Sequence, residues 1–277
     1  SWYRRQRQMC IRDRNNAGHV RVYQWDGSSW NQLGDDIDGE SPNDYSGWSV
    51  SLSSDGTIVA IGAIYNDDSG NNAGHVRVYQ YDSSKTEEDI DQSSSTFGPV
   101  GWNRLGGDID GEASDDNSGY SVSLSSDGTI LAIGAPYNDG NGLNAGHVRV
   151  YQYINNTWTQ LGDDIDGEAD RDQSGYSVSL SGDGTIVAIG APYNNGTDTD
   201  AGHVRIYQYQ YINNTWTQLG DDIDGEDMTD SSGNSVSLSS DGTILAIGAR
   251  YNDDYANTGT IFDNRGHVRI YSLNSTE

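Results

Sequence analysis

Internal repetition constrains this chain more than any other feature. The run from Ser118 to Tyr153, SGYSVSLSSDGTILAIGAPYNDGNGLNAGHVRVYQY, has close copies beginning at Ser46, Ser174 and Ser232. Self-similarity at a fixed long period marks an array of supersecondary units, each too small to bury its own apolar surface. In 277 residues, that favours one repeat array over independent domains.

Each unit reads as four strands separated by turn chemistry. In the first, Tyr120 to Ser125, apolar Tyr120, Val122 and Leu124 alternate with serines, a period of two. Asp127-Gly128 then gives a tight turn, glycine supplying a positive φ without a Cβ clash. The second strand, Thr129 to Ala135, is apolar on both faces and needs cover on both sides. His147 to Tyr153 forms the third, with His147, Arg149, Tyr151 and Tyr153 on one face and Val148 and Val150 on the other. Asn155-Asn156 makes a two-residue turn of the left-handed kind. Trp158 to Ile165 is the fourth strand, and an acidic linker from Asp166 to Asp172 leads to the next unit.

Units apolar on both faces must stack face to face. Radial stacking gives a β-propeller and linear stacking a β-solenoid. The tryptophans opening the fourth strand, Trp30, Trp102, Trp158 and Trp216, lie 72, 56 and 58 residues apart. Solenoid rungs are shorter, so the expected fold is all-β, a propeller of four-stranded antiparallel blades. The chain opens on a third strand and closes on a third strand, which predicts four to five blades and an incomplete arc of a larger ring. Such an arc has open end blades through which it can self-associate. Inserts from Asp82 to Pro99 and Asn252 to Asn264 interrupt the period.

The runs SGYSVSLS, DGTI, AIGAPY and GHVRVYQY resemble the FG-GAP repeat of integrin α-subunit-type β-propellers. Gly134-Ala135-Pro136 and Gly190-Ala191-Pro192 keep that family's Gly-Ala-Pro, whereas Gly62-Ala63-Ile64 and Gly248-Ala249-Arg250 vary its last position. Its Phe-Gly is Ser-Gly here, at Gly47, Gly119, Gly175 and Gly233. The resemblance covers nearly all of residues 15–273. It implies a non-catalytic, extracellular or cell-surface propeller presenting loops for protein recognition or adhesion. Many FG-GAP repeats resemble a calcium loop between the first two strands. Here Asp55, Asp127, Asp183 and Asp241 stand there without the other ligands.

The linkers hold the densest carboxylates: Asp36, Asp38, Glu40 and Asp44; Asp108, Asp110, Glu112 and Asp116; Asp164, Asp166, Glu168 and Asp172; Asp222, Asp224, Glu226 and Asp230. Calcium takes six to eight oxygens, often from alternating carboxylates around a glycine turn, so calcium is the candidate cofactor. Solvated acidic linkers and hydrogen-bonded blade connectors are the competing readings. The His-x-Arg-x-Tyr face recurs at His19, His75, His147, His203 and His267. A set present in every unit solves a packing problem common to all, here an arginine paired with an acid between adjacent sheets. Catalytic centres break such symmetry, and no catalytic constellation stands out.

A net charge of -27 repels nucleic acid and anionic membranes, and it either attracts basic partners or keeps the chain soluble. At several tenths molar salt the screening length falls to roughly 4–6 Å, which suits a saline habitat. Cys10 is the only cysteine, so no intrachain disulfide forms. No apolar run approaches the roughly 18 residues of a membrane-spanning helix, and membrane insertion is not expected. Residues 1–14 are a basic leader with five arginines and no signal-peptide pattern. QMCIRDR resembles translated library adaptor, so the leader is expected to be non-native, with residues 15–277 forming the propeller. Sequons at Asn155, Asn195, Asn213 and Asn274 lean toward a secretory route. Trp48, Tyr120 and Tyr176, at the start of the first strand, fit either a binding rim or the core. The partner is therefore a protein or a glycan: a lectin-like propeller is the alternative function, and an accessory domain of a larger secreted hydrolase a third.

Overall fold

The computed structural model describes residues 15–253 and 265–272. The basic leader and most of the second insert fall outside the described residues. A two-strand ladder comes first, β1 (His19–Trp25) with β2 (Trp30–Asp38). Blade one contains β3 (Ser46–Leu52), β4 (Ile58–Ala63), β5 (His75–Tyr81), β6 (Trp102–Arg104) and β7 (Ile109–Asp110). In blade two are β8 (Ser121–Leu124), β9 (Ile130–Ala135), β10 (His147–Ile154), β11 (Thr157–Gln160) and β12 (Ile165–Asp166). Blade three comprises β13 (Ser177–Leu180), β14 (Ile186–Ala191), β15 (His203–Gln210), β16 (Thr215–Gln218) and β17 (Ile223–Asp224). Blade four has β18 (Ser232–Leu238), β19 (Ile244–Ala249) and β20 (His267–Ser272). The result is all-β, four small antiparallel meanders arranged as a β-propeller.

The fourth strand differs from its expected form. In blade two it breaks into β11 and β12, both paired with β10. Gly162 sits between them at φ 70° and turns the chain out of the ladder. The kink frees the Leu161 carbonyl, which accepts the indole N–H of Trp216 from blade three at 2.8 Å. Trp158 does the same to Leu105 at 2.8 Å, and Trp102 to Leu33 at 3.1 Å. Trp102, Trp158 and Trp216 thus latch each blade to the unit before, meeting the hydrogen-bond need of a buried indole.

The alternating serines have an equally specific role. Ser121 and Ser177 donate to the Gly175 and Gly233 carbonyls of the next blade, both at 2.8 Å. Ser123 and Ser179 accept from the Leu180 and Leu238 amides at 2.9 Å. A serine is short enough to bond straight across between inner strands. The glycine of the Gly-Ala pair permits that approach: a Cβ on Gly134 would lie 2.0 Å from the Gly175 carbonyl oxygen.

The core lies between blades. Ile58, Ala60, Val76 and Val78 of blade one face Leu124, Leu131, Ile133, Tyr151 and Trp158 of blade two, and the pattern repeats between later blades. β1–β2 stacks on Val59, Ile61, Tyr79 and Trp102 in the same manner. The ladder joins no other sheet, and it supplies only third and fourth strands. Val50 and Leu52 of β3 therefore stay 54% and 50% exposed, as do Val268 and Ile270 of β20 at 68% and 73%. Among the described residues the propeller is an arc with two uncovered ends.

Candidate functional site

The four Asp-Gly turns are closed by hydrogen bonds of their own. Asp127 Oδ1 accepts from the Ser125 hydroxyl, the Thr129 amide and the Thr129 hydroxyl at 2.7–2.9 Å, and Asp55, Asp183 and Asp241 repeat this. These donors hold Asp55, Asp127, Asp183 and Asp241 below the usual carboxylate range; at Asp127 and Asp183, burial is the largest influence and opposes the shift. The aspartate stiffens the turn, as an Asx residue does.

The linker carboxylates divide into three roles. The last of each set, Asp44, Asp116, Asp172 and Asp230, is buried. Asp116 Oδ2 accepts from the Ala113 amide and Asn138 at 3.0 Å, and Asp172 Oδ2 from the Ala169 amide and Asn194 at 3.0 and 2.9 Å. Asp44 and Asp230 pair likewise with Asn66 and Asn252, at 3.3 and 2.7 Å. These four tie the linker to the end of the second strand, the arrangement expected of hydrogen-bonded connectors. Burial pushes the Asp44 carboxyl up despite its donors.

The second member of each set works through its backbone. Arg149, Arg205 and Arg269 donate to the carbonyls of Asp110, Asp166 and Asp224 in the preceding linker, each at 2.7 Å. Burial raises the Asp110 and Asp166 carboxyls. Asp38 ends β2 in the corresponding place. The arginines also stack on Tyr151, Tyr207 and Tyr271 at 5.6–5.7 Å, contacts that favour a cation over a ring face.

Of the remaining carboxylates, Asp36 accepts from Arg21 at 2.9 and 2.7 Å and from Gln32 at 2.9 Å, whereas others gather around the histidines. His147 Nδ1 lies 3.5 Å from Asp164 Oδ2 and 3.9 Å from Glu112 Oε2; His203 Nδ1 lies 3.7 Å from Asp222 Oδ2 and 3.9 Å from Glu168 Oε2. Glu40, Asp68, His75 and Asp108 form a third group. These acidic and histidine groups can hold metal ions. Asp68, outside the linker runs, was not legible as a member, because nothing in its spacing relates it to His75. The other Glu112 and Glu168 oxygens face Arg149 and Arg205 at 3.4 and 3.5 Å. Burial, and then the neighbouring arginine, lowers the His147 pKa to about 4 and lowers that of His203 in the same direction.

The first strands carry the other feature. Strand one of each blade packs on strand one of the next, so the residues that begin them line up. Tyr120 sits 5.5 Å from Trp48 and 4.8 Å from Tyr176 between ring centroids. Tyr137 and Tyr193 meet this row edge-on at 6.2 and 6.3 Å. Burial and a hydrogen bond to Tyr176 push the Tyr120 phenol up. The insert after β5 is ordered: Lys85 donates to the Thr96 and Trp102 carbonyls, and a cleft of about 430 Å³ lies between the insert and the first linker.

The meander, the Asp-Gly turn and the Gly-Ala strand end define an FG-GAP β-propeller. FG-GAP repeats match at three positions in this chain, residues 37–79, 109–151 and 165–207. Each match runs from the end of a fourth strand, through the linker, to the tyrosine of the next third strand. A comparison with curated proteins gave no match. Among solved structures, the chain is similar to one titled Kuenenia stuttgartiensis Hydrazine Synthase, at 13% identity and a TM-score of 0.44. The similarity covers 82% of this chain and 46% of that one, so the chain spans less than half of that chain's length.

Proposed function

We propose that this propeller is a non-catalytic recognition module, extracellular or displayed at the cell surface, that binds a protein partner in adhesion or surface recognition. The observation that carries the reading is the row of Trp48, Tyr120 and Tyr176. Trp48 is 48% exposed and its neighbours are half-buried, so large rings are offered to a partner from a rigid support. Tyrosine and tryptophan are favoured at interfaces because they give broad contact at little entropic cost. The acidic linkers flanking this row add an electrostatic preference for a basic surface and speed encounter with it.

A lectin-like reading rests on the same rings, since sugars also stack on aromatics. A repeated sugar site needs the same ring and carboxylate in each blade, and Asn234 stands where blade four would supply the next ring.

The test is to screen the folded protein against a panel of extracellular protein domains and a glycan array, beside a Trp48→Ser, Tyr120→Ser, Tyr176→Ser variant of matched circular dichroism. A protein ligand lost in the variant supports the reading. Glycan binding lost in the variant would move the function to the lectin class, and ligands indifferent to the variant would remove this face from the function.

A further inference from the structure

The histidines pose a question that packing leaves open. His203 is 1% exposed and His75 3%, yet Nδ1 of each has no hydrogen-bond partner. An orphaned buried nitrogen is costly, of the order of 1–3 kcal/mol, and such groups in native folds point to strain, catalysis or an absent ion. The His203 nitrogen is aimed at two carboxylates at 3.7 and 3.9 Å, beyond hydrogen-bond reach, and the matching pair stands 3.5 and 3.9 Å from His147 Nδ1. The glutamate, histidine and aspartate donor atoms all lie within 4.8 Å of one another. Donors so spaced leave a point at most about 2.4 Å from all three, a few tenths beyond metal–nitrogen and metal–oxygen bonds to zinc. Glu168 and Asp222 side chains are 46% and 31% exposed and can shift by the few tenths of an ångström needed, whereas the imidazole is buried.

We propose that Glu112–His147–Asp164 and Glu168–His203–Asp222 each bind one divalent transition-metal ion of the zinc class, through an imidazole nitrogen and two carboxylates, leaving a fourth position for water. The donor set selects the ion. Calcium and magnesium take oxygen shells, whereas a neutral imidazole beside carboxylates suits zinc, cobalt or nickel. Burial disfavours the protonated form of both imidazoles, the form that could not bind a metal. The glutamate bridges two cations, one oxygen toward arginine and the other toward the metal, and the pair of carboxylates still leaves the site net negative.

The chain contains its own controls. At His75, Arg77 pairs with Glu40 and holds Asp108 at 2.9 Å, and Asp108 is held again at 3.0 Å by Arg104, so two of the group's three carboxylates are already neutralised. In blades two and three that arginine is replaced by Gln160 and Gln218, which donate to Asp164 and Asp222 at 2.7 Å without adding charge. At His267, Glu226 faces Nε2 at 3.7 Å and no fourth-strand aspartate accompanies it among the described residues. Two strong sites are therefore expected among the described residues.

The experiment is calorimetric titration of the full, chelator-stripped chain with zinc, checked by metal content after gel filtration. The expected result is two equivalents at micromolar free zinc, a raised melting temperature and no response to calcium. Cobalt(II) should give ligand-field absorption in the same stoichiometry. The His147→Gln, His203→Gln variant should lose both equivalents, and His267→Gln should keep both. Should the histidine variant misfold, Asp164→Asn, Asp222→Asn changes only partly exposed groups and should also lose the metal. Absence of zinc uptake, or uptake unchanged in either double variant, overturns the proposal.

Discussion

Strands β10 and β20 share almost the same sequence, HVRVYQY against HVRIYS, and opposite surroundings. In β10, Val148 and Val150 are 0% and 1% exposed beneath blade three; in β20 the equivalent Val268 and Ile270 are 68% and 73% exposed. The tryptophans repeat the contrast, Trp158 at 9% and Trp30 at 66%. In a stacked array, a residue owes its energy to the neighbouring unit, because each blade contacts chiefly the ones beside it. The interior interfaces hold the complete His-Glu-Asp groups for the same reason: each takes its glutamate from the linker before the blade and its aspartate from the blade's own fourth strand.

The largest effect that would break this comparison is at the tryptophans. Trp158→Ala should cost about 3–5 kcal/mol in urea denaturation, as a large-to-small core change does, while Trp30→Ala should stay within about 0.5 kcal/mol. Equal costs would mean that the ends are covered in solution. Next, Ile206→Ala, at a position 2% exposed, should cost about 2–5 kcal/mol and Ile270→Ala about 0.5 kcal/mol or less.

The pH dependence is of similar or smaller size. The unfolded His147 takes up its proton near pH 6.5, whereas burial and Arg149 hold it off in the folded protein until about pH 4, with Asp164 opposing. The contribution is full above pH 6.5 and is lost as pH falls through 4, roughly 3 kcal/mol at most. Melting curves between pH 7 and pH 4 should fall less steeply for His147→Gln than for the parent. The smallest effect separates the first interface from the next two: Arg104→Gln should raise zinc uptake from two equivalents toward three, with stability in the absence of metal changed by about 0.5–1 kcal/mol.

The unit was legible in advance because its signals are local. Period-two serines, Asp-Gly and Asn-Asn turns and a strand apolar on both faces each follow from backbone stereochemistry, and the turns appear with Gly128 at φ 72° and Asn155 and Asn156 at φ 51° and 64°. The site was legible only in composition. The linker acids read as one repeated set, but folding sends Asp172 to Asn194, Glu168 to Arg205 and His203, and leaves Asp166 serving through its carbonyl. Spacing along the chain cannot separate those fates, because the partners come from strands tens of residues away. The serines could have been read: a small hydroxyl at every second position of a strand facing a neighbour implies bonds across it.

By itself, then, the sequence determined the blade, since turn conformations and strand periods are set by residues next to one another. Only the tertiary structure decided which copy of the blade is core and which is surface, where the fourth strand breaks to release the Leu161 carbonyl to Trp216, and which carboxylates meet a buried imidazole. Those outcomes depend on what the adjacent blade places across the interface, and identical repeats diverge wherever that neighbour differs.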